Sequence, residues 1–198
     1  MKIKIFAGDR YHDKEVFIET LLEVLQRKIY SVQIEESTHI EKVVENNPEL
    51  IVIARWNLND DETFWLNEES SRLLAKWVKD GGKLFVWHSG LARYPSTYVE
   101  LVGGKFLSHP EKTLVRYFIE DGFSFEISDE QYFVNFEKDV EVFLWSESKF
   151  GQSTAGWKKN FVKGKILALT PAHDREGLTH EGFKQLLEKC LSWLFCDL

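Results

Sequence analysis

Two stretches of this chain, LIVIA at residues 50–54 and LFVW at residues 84–87, contain no polar position. Successive side chains of a strand point to opposite faces, so a strand with one face in water alternates apolar and polar residues. An uninterrupted apolar run must be covered on both faces. That is the condition of a strand inside a parallel sheet flanked by helices. KIKIF at 2–6 alternates, and KILAL at 165–169 is again apolar. These four segments are expected to be central, parallel strands.

Helical patterns fill the gaps. Val16, Phe17, Ile18, Leu21, Leu22 and Leu25 recur at helical spacing behind Asp13, a capping residue. Residues 30–34 read as a short strand, and 39–46 as a weak helix ended by Pro48. Residues 66–80 read as a helix with Leu73, Leu74, Trp77 and Val78 inward, stopped by Gly81-Gly82. The order β-α-β-α-β-α-β predicts a doubly wound α/β sheet. Beyond residue 105 the texture changes. Segments 114–120, 132–136, 142–145 and 154–161 read as strands without intervening helices, and so as an antiparallel extension of the sheet. Its Phe125, Phe136 and Phe143 are expected in the main core. A last helix carries Phe183, Leu186, Leu187, Cys190, Leu191 and Leu194 on one stripe. With no repeat or linker, residues 1–198 are expected to form one domain.

Composition excludes several classes. Apolar residues make up 43%, with 15 Phe and 7 Trp, which rules out a disordered chain. No segment approaches the roughly 20 apolar residues of a membrane span. The opening MKIKIFAGDR is too short an apolar core for a signal peptide, so a cytoplasmic location is expected. The net charge of -7 argues against a nucleic-acid partner, which asks for a basic face. The one basic cluster, Lys158, Lys159, Lys163 and Lys165, reads as a solvated turn of a hairpin. Cys190 and Cys196 sit six apart in the last helix and read as buried thiols.

In open α/β sheets ligands bind beyond the carboxyl ends of the strands. Asp9 and His12 follow the first strand, Arg55 and Trp56 the third, His88 and Ser89 the fourth, and His173 and Asp174 the last. Three histidines thus reach one edge from separate strands, and His109 lies in a loop that can join them. His39 and His180 read as surface residues at helix starts. Histidine titrates near neutrality, which suits proton transfer. Neutral imidazoles with a carboxylate also suit a divalent metal such as zinc, here His88, His173 and Glu130. Glu130 stands in ISDEQYFV, just before a strand. No phosphate-cradling glycine motif is present, and WHSG lacks the first glycine of a G-x-S-x-G elbow.

The segments DGGKLFVWHSG, YVELVGGKFLSHP, ISDEQYFV and KGKILALTPAHD, with His12 after the first strand, occur in an order that resembles the ThuA-like (trehalose utilisation) family. That family belongs to the class I glutamine amidotransferase-like superfamily. The resemblance covers nearly the whole chain and implies a flavodoxin-like doubly wound fold. It implies that the amidotransferase cysteine is absent, with His88 at or next to its place, so the chain is not an amidotransferase. The family's recurrent polar residues fall here on His12, His88, His109, Glu130, Tyr132 and His173. The family's association with sugar metabolism implies a sugar-like or keto-sugar ligand.

Two functions follow. One is an enzyme of carbohydrate metabolism, with His88, His109, Glu130 and His173 as catalytic groups and His12, Trp56, Ser89 and Tyr132 binding substrate. The other is a non-catalytic binding or interaction domain with the same fold. A homo-oligomer suits either. A shared pocket requires His88 and His173 to converge, since imidazoles more than about 12 Å apart could neither share a metal on bonds of roughly 2 Å nor flank one small sugar centre.

Overall fold

The structure, a computed structural model, describes residues 1–28, 31–136 and 139–195. Its elements, in chain order, are β1 (Lys2–Ala7), α1 (Lys14–Gln26), β2 (Gln33–Glu36), α2 (Ile40–Glu45), β3 (Leu50–Ala54), α3 (Glu68–Lys79) and β4 (Lys83–Trp87). A 3-10 turn (His88–Leu91), α4 (Ser96–Val102), β5 (Gly104–Ser108), β6 (Thr113–Phe118), β7 (Ser124–Asp129) and β8 (Phe133–Phe136) follow. The chain continues with β9 (Glu141–Ser148), β10 (Gly151–Phe161), β11 (Gly164–Leu169), α5 (Arg175–Thr179) and α6 (Glu181–Phe195). Asp13 caps α1 by accepting from the Glu15 amide, and Asn67 caps α3 through the amides of Glu69 and Ser70. Gly103, at φ 82°, ends α4 in the left-handed conformation that a residue without Cβ adopts freely.

Nine strands form one sheet in the order β2-β1-β3-β4-β11-β10-β9-β6-β7. The strands from β2 to β11 run parallel, and β10, β9, β6 and β7 continue the sheet antiparallel. The apolar runs are divided between the two faces residue by residue. Leu50, Val52, Ala54, Phe85, Trp87, Leu167 and Leu169 pack on the face covered by α1, α5 and α6. Ile51, Ile53, Leu84, Val86, Ile166 and Ala168 pack on the face covered by α2, α3 and α4. All four segments expected to be central are inside the sheet.

The extension differs from expectation in detail. It gains β7, and β8 leaves the large sheet to pair with β5 in a separate two-stranded ribbon. Phe125 and Phe143 join the core, but Phe136 lies on that ribbon and is 45% exposed. Leu73, expected inward on α3, is 38% exposed, because Leu74, Trp77 and Val78 already fill that face. Lys159 is not a solvated residue. It lies on the same face of the sheet as Trp157, beside α4, and its Nζ reaches the Glu100 carbonyl at 3.0 Å and Asp139 at 2.7 Å. The second strand begins at Gln33, and Tyr30 lies outside the described residues, as does Cys196. Cys190 is a free, buried thiol. No described helix is long and apolar enough to cross a membrane.

Candidate functional site

The carboxyl ends of β1, β3, β4 and β11 are adjacent in the sheet, so the residues leaving them meet. After β1 the chain turns back on itself through paired backbone hydrogen bonds between Asp9 and His12, of 3.2 and 3.1 Å. This turn carries His12 inward. After β4 the chain turns at His88, at φ 49°, a conformation costly for a residue with a Cβ. The turn is pressed against β3: a Cβ on Gly90 would sit 2.2 Å from the Ile53 carbonyl oxygen. After β11, Ala172 at φ 75° swings His173 over the same edge.

The last contributor comes from farther away. β7 lies four strands from β11 in the sheet, yet its end packs on α5 and α6. The buried carboxylate of Asp129 makes the junction. One of its oxygens accepts from the amides of Glu130 (2.9 Å) and His173 (3.0 Å). The other accepts from the Ala172 amide and the Tyr117 hydroxyl, both at 2.8 Å. Asp129 therefore fixes the backbone of Glu130 and His173 relative to each other.

Hydrogen-bond partners assign the tautomers. His88 Nδ1 lies 2.6 Å from the Thr170 carbonyl, which can only accept, so Nδ1 carries the hydrogen and Nε2 a lone pair. His12 Nδ1 lies 2.5 Å from Asp9 Oδ1, and the same assignment follows. Burial alone would raise the Asp9 pKa. The His12 ring and the amides of Trp56 and Tyr11 outweigh it and hold the carboxyl below its ordinary value, ionised and able to accept. Both free Nε2 atoms face His173 Nδ1, at 3.1 Å from His12 and 3.2 Å from His88. Glu130 Oε2 stands 3.2 Å from the same nitrogen. Three electron-pair donors thus converge on one atom.

Burial, then the neighbouring His12, push the His88 pKa well below the ordinary histidine value, so it is neutral at pH 7. His173 is also lowered, by burial against the opposing pull of Glu130. Tyr132 stacks on His88, with ring centres 4.1 Å apart. Burial first, then the Glu130 charge, raise its pKa, so the phenol keeps its proton as a donor. His109 is more exposed and reaches Glu130 at 3.7 Å.

Above this group opens a cavity of about 340 Å³, within the range of small-molecule sites. His12, Trp56, Ser89, His109, Glu130, Tyr132 and His173 all line it, and His88 lies beneath them as the partner of His173. His12, expected to bind substrate, lines the cavity and also reaches His173 Nδ1. The described residues whose ligand atoms lie within 4.8 Å of one another are His12, His88 and His173, with Glu130 beside them. The Oγ of Ser89 is buried without a hydrogen-bond partner among the described residues. Asp9 and Asp129 were not among the expected site residues. Asp9 is legible as a polar residue at a strand end, whereas nothing in ISDEQYFV distinguishes Asp129 from the Glu130 beside it.

The family model described as trehalose utilisation, ThuA, matches residues 2–194. A search of curated proteins returned no match. Among solved structures, the chain is similar to a thua-like protein from Parabacteroides merdae ATCC 43184, with a TM-score of 0.75 and 14% identity over 100% of this chain and 92% of that one. A thua-like protein from Bacteroides uniformis ATCC 8492 gives 0.69 and 18%, over 98% and 91%. A beta-galactosidase from Bacillus circulans sp. alkalophilus gives 0.70 and 9%, over 97% of this chain but 30% of that one. At these identities the likeness to the solved structures is one of fold.

Proposed function

The chain belongs to the ThuA (trehalose utilisation) family, and from that premise we propose that it is an enzyme of carbohydrate metabolism moving protons on a sugar or keto-sugar. The observation that carries this reading is the convergence of the His12 and His88 lone pairs and the Glu130 carboxylate on His173 Nδ1. Structure alone does not require so many buried proton acceptors at one point.

The donor set fits a divalent cation such as zinc. Nitrogens on bonds of about 2.0–2.1 Å in a tetrahedral shell stand about 3.3 Å apart, close to the 3.1 and 3.2 Å found here. His12, His88 and His173 would hold it, with Glu130 as a further ligand or as the adjacent base. Asp9 and the Thr170 carbonyl orient His12 and His88 as supporting partners orient metal-bound imidazoles. A cation there would polarise a sugar carbonyl or hydroxyl.

The chain's own residues divide the remaining work. Glu130 takes a proton from the carbon or hydroxyl beside a keto group and passes it to His109 or solvent at the mouth. Tyr132 donates to a substrate hydroxyl, Ser89 offers its unpartnered hydroxyl, and Trp56 gives a sugar ring an aromatic face. Proton abstraction beside a keto group, isomerisation and hydration all suit this arrangement. The same reading takes residues 1–198 as one flavodoxin-like, amidotransferase-like domain that lacks amidotransferase chemistry. The parallel strand order β2-β1-β3-β4-β11 supports that fold. It further takes the protein as cytoplasmic, free to self-associate, with a small sugar-like ligand rather than nucleic acid or membrane as its partner.

Elemental analysis of the purified protein is expected to find a divalent metal at one per chain, lost in His88→Ala or His173→Ala. Glu130→Gln is expected to abolish solvent deuterium exchange beside the carbonyl of a bound keto-sugar, with the melting temperature shifted by only a few degrees. A structural Glu130 would give the reverse: exchange unchanged and stability lowered by about 1–3 kcal/mol. The stacking of Tyr132 over one face of His88 favours the second reading, a binding domain without catalysis. Sugar bound without exchange in the wild type would establish it.

A further inference from the structure

One side chain at the mouth of the cavity is not used by that chemistry. Arg93 lines the opening with its guanidinium 5.2 Å above the Trp56 ring. Among the described residues the guanidinium has no carboxylate or carbonyl partner. Arg55, by contrast, leaves β3 beside Trp56 but engages Asn59 and the Trp65 ring, and does not line the cavity.

The placement of Arg93 is built. Asn57, buried beneath it, receives the chain: its amide donates to the Ala92 carbonyl at 3.1 Å and its side-chain nitrogen to the Arg93 carbonyl at 3.3 Å. Asn57 is itself held through both side-chain atoms by the Leu66 backbone, at 2.8 and 2.9 Å. This clamp keeps Arg93 at φ 67°, an uncommon conformation for an arginine. Of the six non-glycine residues at positive φ among those described, Arg93 lines the cavity, His88 lies beneath it as the partner of His173, and Ala172 precedes His173. Strain of this kind persists where the surroundings over-determine it. An aromatic plane under a guanidinium leaves its edge donors free, in the fork that matches a carboxylate or phosphate.

We propose that Arg93, stacked on Trp56, reads an oxyanion substituent on the sugar ligand, a carboxylate or a phosphate, while the ligand's reacting end faces the histidines. The inference rests on the sugar-site reading above and narrows its substrate to acidic sugars. A neutral sugar leaves the fork unmatched.

The test is calorimetric titration of the protein, as purified, with D-glucose, D-glucuronate and D-glucose 6-phosphate. At least one acidic sugar is expected to bind about tenfold more tightly than glucose. Which one gains distinguishes carboxylate from phosphate. In Arg93→Gln the ratio is expected to fall to about one, and Arg93→Asn, which tolerates positive φ, serves should the first variant fold poorly. Equal binding of all three sugars to the wild type overturns the anion inference and leaves the sugar site standing. A preference that survives in both variants also overturns it, by locating the anion at the histidines. If none of the three sugars binds, both readings fall together.

Discussion

The carboxylate of Asp129 is fully removed from water and accepts four hydrogen bonds, yet burial still lifts its pKa to about 6 from an ordinary 3.8. The folded protein therefore holds a proton there that the unfolded chain has released. The stability this group contributes is full below about pH 4 and is lost as pH rises to about 6. His88 and His173 have the opposite sign. Their folded pKa values are depressed, so their contribution is present above about pH 6.5 and is lost as pH falls. In chelator-treated protein, Asp129→Asn should then lose stability more steeply between pH 6.5 and 5 than the wild type does. At pH 7 it should be less stable by about 1–3 kcal/mol, because an amide turned toward backbone N–H groups leaves a donor unmatched. Denaturant melts across that range check both statements. The histidines were legible one by one as strand-end residues. Asp129 was not, because its partners Ala172 and His173 lie 43 and 44 residues away in the chain, and nothing local marks an aspartate that gathers distant amides.

The central strands could be read from their lack of polar positions, because two-sided burial leaves a direct trace in sequence. The ribbon of β5 and β8 leaves a weaker one: 132–136 is legible as a strand but not its partner, because Phe106 and Val134 are only partly buried against the core while Leu107 is 56% exposed and Phe136 45%. β7 has an inward row of Phe125, Ile127 and Asp129, and the charged member obscures the alternation. The turn after β4 is where an element sets the geometry of the histidine cluster. Gly90→Ala would drive a Cβ to 2.2 Å from the Ile53 oxygen, so backbone must move. It should cost about 1–3 kcal/mol or more. It should also displace His88, which a fall in metal retention, compared with its fall in melting temperature, would report.

On the scale of the molecule, the core beneath α1 and α6 runs without a break from Ile3 and Val52 through Leu167 to Tyr117, Phe125 and Leu144. The parallel and antiparallel halves share it, so we expect one calorimetric transition, coincident with loss of far-ultraviolet circular dichroism. Two separated transitions would show that the antiparallel half melts independently. The position of β11 between the halves has a kinetic consequence. Its antiparallel partner β10 precedes it directly across a tight turn, and such hairpins close in microseconds. Its parallel partner β4 is far upstream: His88 and the Thr170 carbonyl it bonds are 82 residues apart, and His12 and His173 are 161 apart. Closing loops of that size is the slow part of assembling such a sheet. A chain that has its hairpins but not that closure carries its histidines as separate, water-exposed imidazoles. The three-histidine cluster therefore assembles only once β4 has joined β11.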